Sequence, residues 1–107
     1  MPDLYSVEAV AKHHGLTFIP ATSVNSKEYL EQLRRLNIDL VISINASQKF
    51  KSELLALPRL GCINVHGALL PRYRGRLPSF WVLANGERET GTTVHFMNEE
   101  LDDGPIL

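Results

Sequence analysis

The feature of this sequence that most narrows its possible folds is a regular alternation of helical and extended segments. Helical periodicity predicts helices at residues 6–14, 27–36, 51–57 and 79–84. Short runs of apolar or β-branched residues predict strands at 16–19, 38–44, 62–66 and 92–97. Such alternation predicts an α/β fold with an open sheet, in which ligands bind at the carboxyl ends of the strands.

The clearest of these segments is the helix at 27–36 and the strand that follows it. Ser26 can cap the helix, and Leu30, Leu33 and Leu36 recur at three-residue steps along it. The next run, at 38–44, is nearly all apolar, as expected for a strand that is covered on both faces of a parallel sheet. The sequence therefore predicts helices on both sides of the sheet.

Composition excludes several classes of function. The 107 residues, 44% of them hydrophobic and 21% charged, fit one soluble globular domain. Eleven basic against twelve acidic residues leave no overall positive field for nucleic acid or an anionic membrane. The single cysteine, Cys62, excludes internal disulfides and a multi-cysteine zinc site, and it fits a reducing, cytoplasmic compartment. Neither a signal peptide nor a membrane-spanning run is present, so we expect no membrane partner.

Two polar residues near the end of the strand at 62–66 are candidates for chemistry. Asn64 and His66 are two positions apart, so their side chains lie on the same face. An amide donor and a protonated imidazole suit a reaction in which a carbonyl becomes a negatively charged tetrahedral centre. A carboxylate would hold the ring charged and oriented, and Asp102 is the candidate by position, with Asp103 as its rival.

Plainer interpretations of the same residues stay open at this point. Asn64 and His66 can be strand-end polar groups that the backbone satisfies. Residues 99–103 can be a solvated acidic turn that Gly104 and Pro105 close. Composition and spacing do not decide between these interpretations.

Four blocks of residues resemble a known family in the same order along the chain. Residues 62–78 read CINVHGALLPRYRGRLP, with an Asn-x-His pair, a Leu-Leu-Pro loop and Tyr-Arg-Gly followed by a proline. The further blocks are NGE at 85–87, ETGTT at 89–93 and LDDGPIL at 101–107. Together they resemble the formyltransferases that use 10-formyltetrahydrofolate, and the match is densest over residues 60–107.

The resemblance implies a catalytic trio of Asn64, His66 and Asp102, with Asp103 at the variable position of the Leu-Asp-x-Gly block. An acceptor amine attacks the formyl carbon of the folate, and Asn64 and His66 stabilise the oxyanion. Asp102 keeps His66 charged and helps to relay the proton. The implied co-substrate is 10-formyltetrahydrofolate, and no metal is implied.

The resemblance also suggests binding residues outside the trio. A segment after the strand at 38–44 is expected to border the pterin of the folate, largely through backbone groups: Ser47, Gln48, Lys49 and Phe50. In the loop at 67–78, Arg74 and Arg76 either form a solvated basic turn or contact an anionic acceptor, such as a nucleotide sugar or a tRNA end. We expect His95 to be an ordinary structural residue, and Phe80 and Trp81 to be core residues of the helix at 79–84.

The implied fold is an open, mostly parallel, Rossmann-like sheet, of which this chain supplies a part. Family domains begin with a strand, a helix and a second strand, and they continue past the position of Leu107. We therefore expect residues 1–107 to form a single partial catalytic domain that is poorly stable or inactive alone. Within the matching blocks, Ala68 stands where the family usually has serine.

The acceptor amine has several candidates. The Arg-Gly-Arg run at 74–76 favours a small-molecule acceptor, the amine of a nucleotide-linked sugar. Alternatives are methionyl-tRNA, which would make tRNA a partner, and glycinamide ribonucleotide. The Tyr-Arg-Gly loop fits glycinamide ribonucleotide less well, although the Val-His-Phe run at 94–96 favours it somewhat. A non-catalytic folate-binding fragment is the remaining possibility.

Overall fold

The computed structural model describes residues 5–100 and 102–107. The helices are α1 Val7–His13, α2 Lys27–Arg35, α3 Ser52–Ala56 and α4 Pro78–Ala84. The strands are β1 Val41–Ile44, β2 Cys62–His66 and β3 Thr93–Phe96. These bounds confirm the four predicted helices and three of the four predicted strands.

The sheet has the order β1-β2-β3 and is mixed. Strand β2 runs parallel to β1 and antiparallel to β3. The predicted α/β class with an open sheet is confirmed, and one of its two strand pairs is antiparallel. Because Thr93 pairs with His66, β3 begins where β2 ends, so the connection through α4 leaves from and returns to the same end of the sheet.

The prediction of a strand at 16–19 is wrong. Residues 16–20 are not part of the sheet, and no strand in the described part of the chain pairs with them. A short apolar run becomes a strand only where another strand supplies hydrogen-bond partners for its backbone.

The hydrophobic core lies between one face of the sheet and helices α2 and α3. Its buried residues are Leu30, Leu33, Phe50, Leu54 and Cys62. Helix α2 begins where predicted, because the Ser26 hydroxyl accepts a hydrogen bond from the Tyr29 amide at 3.2 Å. Leu30 and Leu33 then pack with Cys62 at the start of β2, whereas Leu36 is 53% exposed.

The opposite face of β1 is uncovered, which corrects the expectation that this strand is buried on both faces. Ser43 is 5% exposed, whereas Ile42 and Ile44 are 57% and 68% exposed. Side chains alternate between faces along a strand, so Ser43 faces the core and the two isoleucines face away from it. No element among the described residues packs over them.

The aromatic residues of α4 are also on the surface, contrary to expectation. Phe80 and Trp81 are 57% and 53% exposed, and their rings meet edge to face at 5.1 Å. A helix of seven residues buries one narrow stripe, and here Val82 occupies it.

None of the helices in residues 5–100 and 102–107 has the length and apolar character that crossing a bilayer requires.

Candidate active site

A row of polar side chains crosses the carboxyl end of the sheet on its core-facing side. Asn64 of β2 is in register with Ser43 of β1 and with His95 of β3, and His66 is in register with Thr93. Residues in register on neighbouring strands point to the same face. The face that holds the apolar core at the start of β2 is therefore polar at its end.

The segment 102–107 carries a carboxylate to this row. It lies beside β3, where the Phe96 amide donates to the Pro105 carbonyl at 2.8 Å and the Leu107 amide donates to the Val94 carbonyl at 2.9 Å. A Cβ atom on Gly104 would come within 1.6 Å of the Phe96 carbonyl oxygen, so only glycine allows this approach. The close contact fixes where Asp102 enters the site.

Asp102 sits between two imidazoles. Its Oδ1 atom is 3.6 Å from His66 Nδ1 and 3.6 Å from His95 Nε2. Its Oδ2 atom accepts a hydrogen bond from the Gly75 amide at 2.7 Å. The side chains of His66, His95 and Asp102 are 6%, 3% and 8% exposed. Burial strengthens the electrostatic attraction between this carboxylate and an N–H group of a ring that faces it.

The ring of His66 faces an acceptor on each side. Its Nε2 atom is 2.7 Å from the carbonyl oxygen of Tyr73, which can only accept, so Nε2 carries a hydrogen. Its Nδ1 atom faces the Asp102 carboxylate. A doubly protonated, positively charged ring satisfies both neighbours.

His95 belongs to the same cluster, although sequence analysis did not include it among the site residues. Its Nδ1 atom is 2.8 Å from the Phe96 carbonyl oxygen, and its Nε2 atom is 3.3 Å from Asn64 Nδ2. His95 therefore connects the amide to the carboxylate. The signal that would have found it is the antiparallel register of β3 on β2, which sequence alone does not reveal.

The structure distinguishes the two aspartates that were candidates to face His66. Asp102 lies against His66, while the Oδ1 atom of Asp103 is 3.7 Å from Arg74 Nη1 on the surface. The left-handed backbone of Asp102, with φ of 52°, turns its side chain inward. Asn64, His66 and Asp102 are thus brought together, and Asp103 points elsewhere.

The loop between β2 and α4 is held in place by side chains from β3 and from the segment after α4. The buried Thr93 hydroxyl donates to the Ala68 carbonyl at 2.7 Å and accepts from the Leu70 amide at 3.0 Å. Farther along, Tyr73 donates its hydroxyl to Glu87 at 2.8 Å, and Arg72 also pairs with Glu87. The Tyr73 hydrogen bond first, and then the Arg72 charge, hold the pKa of the Glu87 carboxyl below its ordinary value despite desolvation.

The two loop arginines that sequence analysis offered as acceptor contacts, Arg74 and Arg76, both contact this chain. Arg74 pairs with Asp103, and Arg76 Nη2 donates to the Ser47 carbonyl at 3.2 Å. Arg76 thereby joins the loop after β2 to the segment that follows β1. That segment is the one expected to border a pterin.

Two side chains of the segment at 47–50, those of Gln48 and Phe50, are engaged in the fold. Gln48 accepts from the Val24 amide at 2.9 Å and donates to the Thr22 carbonyl at 3.1 Å, and Phe50 is 7% exposed within the core. The Lys49 carbonyl accepts from Asn25 Nδ2 at 2.8 Å. Any ligand here would meet the exposed side chains of Ser47 and Lys49 and the remaining peptide groups.

The cysteine is not part of this site. Cys62 is 2% exposed in the core, and burial raises the pKa of its thiol, which disfavours the reactive thiolate. No three His, Cys, Asp or Glu side chains of the described residues are arranged to hold a metal ion.

Comparisons with known proteins agree on one family. The family model described as "Formyl transferase" matches residues 3–107. A methionyl-tRNA formyltransferase from Thermotoga maritima is 48% identical over 100 residues, which cover 94% of this chain and 32% of the relative. This chain spans about a third of the length of the curated relatives it matches.

Solved structures share the fold. A sugar N-formyltransferase from Shewanella sp. superposes with a TM-score of 0.72 at 35% identity, covering 98% of this chain and 40% of that one. Glycinamide ribonucleotide transformylase 1 from Geobacillus kaustophilus superposes with a TM-score of 0.80 at 26% identity, covering 94% of this chain and 57% of that one. With a family match over almost its whole length, the chain belongs to the formyl transferase family.

Proposed function

We propose that this chain forms part of a catalytic domain that transfers a formyl group from 10-formyltetrahydrofolate to a primary amine. The observation that carries the proposal is the proximity of Asn64, His66 and Asp102 at the carboxyl end of β2. His66 lies 3.6 Å from Asp102, and Asn64 lies 3.3 Å from His95, which is itself 3.6 Å from Asp102. Open α/β sheets bind ligands at this end. All three side chains lie on one side of the sheet.

Each member of the trio has a chemical task in this proposal. The amine nitrogen bonds to the formyl carbon, and the carbonyl oxygen takes up negative charge. An Asn64 N–H and the positive charge of His66 stabilise that oxygen. Asp102 maintains the His66 charge and helps to pass the amine proton to the departing folate nitrogen as its bond to the formyl carbon breaks.

The position of Tyr73 adds a requirement to this mechanism. The Nε2–H group of His66 is bonded to the Tyr73 carbonyl at 2.7 Å. To donate to a formyl oxygen, His66 has to exchange that carbonyl for the substrate oxygen. We therefore expect the part of the loop around Tyr73 to shift when substrates bind.

The segment after β1 suits a folate through its backbone. Strands β1 and β2 are parallel, with Ile44 beside Val65, so residues 45–49 begin next to the carboxyl end of β2. Arg76, in the loop at 67–78, also donates a hydrogen bond to the Ser47 carbonyl. A pterin ring presents donors and acceptors along its edge, which peptide groups can match.

Methionyl-tRNA is the acceptor that the sequence relatives favour. The support is the 48% identity with a methionyl-tRNA formyltransferase, against 35% with the sugar N-formyltransferase structure. Arg74 and Arg76 contact Asp103 and the Ser47 carbonyl through exposed groups of this chain, and these contacts do not test the nucleotide-sugar prediction made from the Arg-Gly-Arg run. An amino sugar is the second candidate, supported by the Shewanella structure.

An acceptor panel tests the proposal. The full-length protein is incubated with 10-formyltetrahydrofolate and, in separate reactions, methionyl-tRNA, a nucleotide-linked amino sugar and glycinamide ribonucleotide. We expect mass spectrometry to detect formyl-methionyl-tRNA. Preferential formylation of the sugar would contradict the tRNA assignment, and no product with any amine would contradict formyl transfer itself.

A further inference from the structure

Two buried imidazoles face the single carboxylate of Asp102, and their other partners differ. His66 meets acceptors at both ring nitrogens, the Tyr73 carbonyl and Asp102. His95 meets the Phe96 carbonyl at Nδ1, but its Nε2 atom lies 3.3 Å from the amide nitrogen of Asn64, closer than the carboxylate at 3.6 Å. The two rings are therefore not equivalent.

The hydrogen-bond partners determine which form each ring takes. A backbone carbonyl only accepts, so Nδ1 of His95 must carry its hydrogen. An amide NH₂ group only donates, so the His95 Nε2 atom at 3.3 Å from Asn64 Nδ2 serves as the acceptor of that contact, while the Asp102 oxygen at 3.6 Å lies beyond hydrogen-bond distance from it. His95 is then neutral. One carboxylate can compensate one buried imidazolium, and His66 is the ring whose two contacts both favour the charge.

From these contacts we propose that His95 is a positioning residue that stays neutral and holds the amide of Asn64 in the orientation formyl transfer requires. The inference deepens the proposed function and rests on it. Nε2 of His95 accepts one Asn64 N–H and leaves the second N–H for the oxygen that gains charge. An uncharged acceptor at this position prevents the amide from turning its oxygen toward the reacting carbonyl.

Two substitutions of His95 distinguish a role as hydrogen-bond acceptor for Asn64 from a role in packing alone. His95→Leu keeps a buried apolar volume but removes the acceptor, while His95→Gln keeps an oxygen acceptor within reach of Asn64. We expect His95→Leu to lower kcat by roughly tenfold to a hundredfold, the range associated with misplacing a reacting group by about an ångström. KM for 10-formyltetrahydrofolate should stay within about twofold, and His95→Gln should recover most of kcat.

A double-mutant cycle identifies the path of the effect. If His95 acts through Asn64, adding His95→Leu to an Asn64→Ala enzyme lowers kcat no further. Equal effects in both backgrounds would overturn the inference. So would an unchanged kcat in His95→Leu while the wild-type enzyme transfers formyl groups, and that result would leave the proposed function intact.

A spectroscopic measurement tests the protonation states without turnover. In ¹⁵N-labelled full-length protein near neutral pH, we expect His95 to show one protonated nitrogen, Nδ1, and His66 to show two. A doubly protonated His95 would overturn the inference. This readout decides the question even if His95→Leu fails to fold, and it separates failure of the inference from failure of the proposed function, which absence of transfer to any amine would reveal.

Discussion

At the scale of single residues, the polar row on the sheet contains two buried hydroxyls with opposite surroundings. Thr93 is 8% exposed and makes hydrogen bonds to the Ala68 carbonyl and from the Leu70 amide. Ser43 is 5% exposed, and its hydroxyl has no hydrogen-bond partner within residues 5–100 and 102–107. A buried polar group stabilises a protein only when it is paired.

This contrast predicts opposite changes in stability. Thr93→Val should lower the free energy of unfolding by roughly 1–3 kcal/mol, because two backbone groups lose their partner. Ser43→Ala should leave stability unchanged or raise it by up to about 1 kcal/mol, because an unpaired hydroxyl is removed. Urea unfolding of both variants measures the two values. Destabilisation by Ser43→Ala as large as that by Thr93→Val would show that Ser43 has a partner.

The adjacent aspartates provide a matched test of the trio. Asp102→Asn removes the charge that faces His66 while keeping the shape of the side chain, so we expect kcat to fall by about a hundredfold or more. Asp103→Asn alters only a surface contact with Arg74 and should change kcat by less than about twofold. Steady-state kinetics of both variants decide the matter, and equal losses would contradict the assignment of Asp102.

At the scale of structural elements, the site depends on how the segment 102–107 meets β3. The Phe96 carbonyl approaches Gly104 so closely that an added Cβ would lie 1.6 Å from the oxygen. A backbone atom cannot move aside as a side chain can. The position of Asp102 therefore depends on Gly104, two residues along the chain, which has no side chain.

We expect Gly104→Ala to displace this segment and to reduce both stability and formyl transfer. The loss of unfolding free energy should be about 2 kcal/mol or more, in the range of overpacked sites. Gly67→Ala is the control for stability, because its Cβ would meet only ordinary contacts at 3.7 and 3.8 Å. Thermal unfolding and turnover of both variants test this, and a fully stable, fully active Gly104→Ala enzyme would contradict it.

The link between the loop at 67–78 and Glu87, after α4, is predicted to be sensitive to acid. Because the folded pKa of Glu87 lies below its ordinary value of 4.5, the carboxylate stabilises the folded state above that pH. The contribution is lost as the pH falls through the lowered folded pKa. Wild type should therefore exceed Glu87→Gln in unfolding free energy at pH 7, and the difference should vanish in strong acid.

Chemical unfolding at a series of pH values from neutral to acid measures this difference. Glu89→Gln, an exposed neighbour, gives the baseline for neutralising a surface glutamate in the same segment. A Glu87→Gln difference that stays constant across the series would contradict the role of the Tyr73 and Arg72 contacts.

At the scale of the whole molecule, one face of the sheet carries the core and the other is exposed along β1 and at Phe96. Ile42, Ile44 and Phe96 are 57%, 68% and 39% exposed on the side away from the core. Exposed apolar surface of this kind favours association. We propose that residues 1–107 function within a larger catalytic domain.

The isolated chain is expected to bind a hydrophobic dye, to self-associate and to show no formyl transfer. Replacing Ile44 with threonine should weaken dye binding without unfolding the protein, since Ile44 is not in the core. Light scattering and dye fluorescence measure both effects, and Leu54→Ala serves as the unfolding control. A monomeric, dye-silent chain with measurable transfer would contradict the proposal.

The sequence determined by itself the features that have local causes. Ser26 begins α2 because its hydroxyl accepts from the Tyr29 amide, and β2 spans Cys62–His66 as predicted. The two-residue spacing of Asn64 and His66 places both on one face, since strand geometry has a period of two. The family blocks added Asp102, which the structure brings to His66.

Tertiary structure decided everything that depends on a distant neighbour. His95 joins the site only because β3 pairs antiparallel with β2, and no local property of residues 92–97 specifies that register. Residues 16–19 stay outside the sheet because no strand among the described residues pairs with them. Phe80 and Trp81 are exposed because no element among the described residues covers them. A hydrogen bond or a buried contact needs two partners, so the sequence of one segment does not show which other segment it will contact.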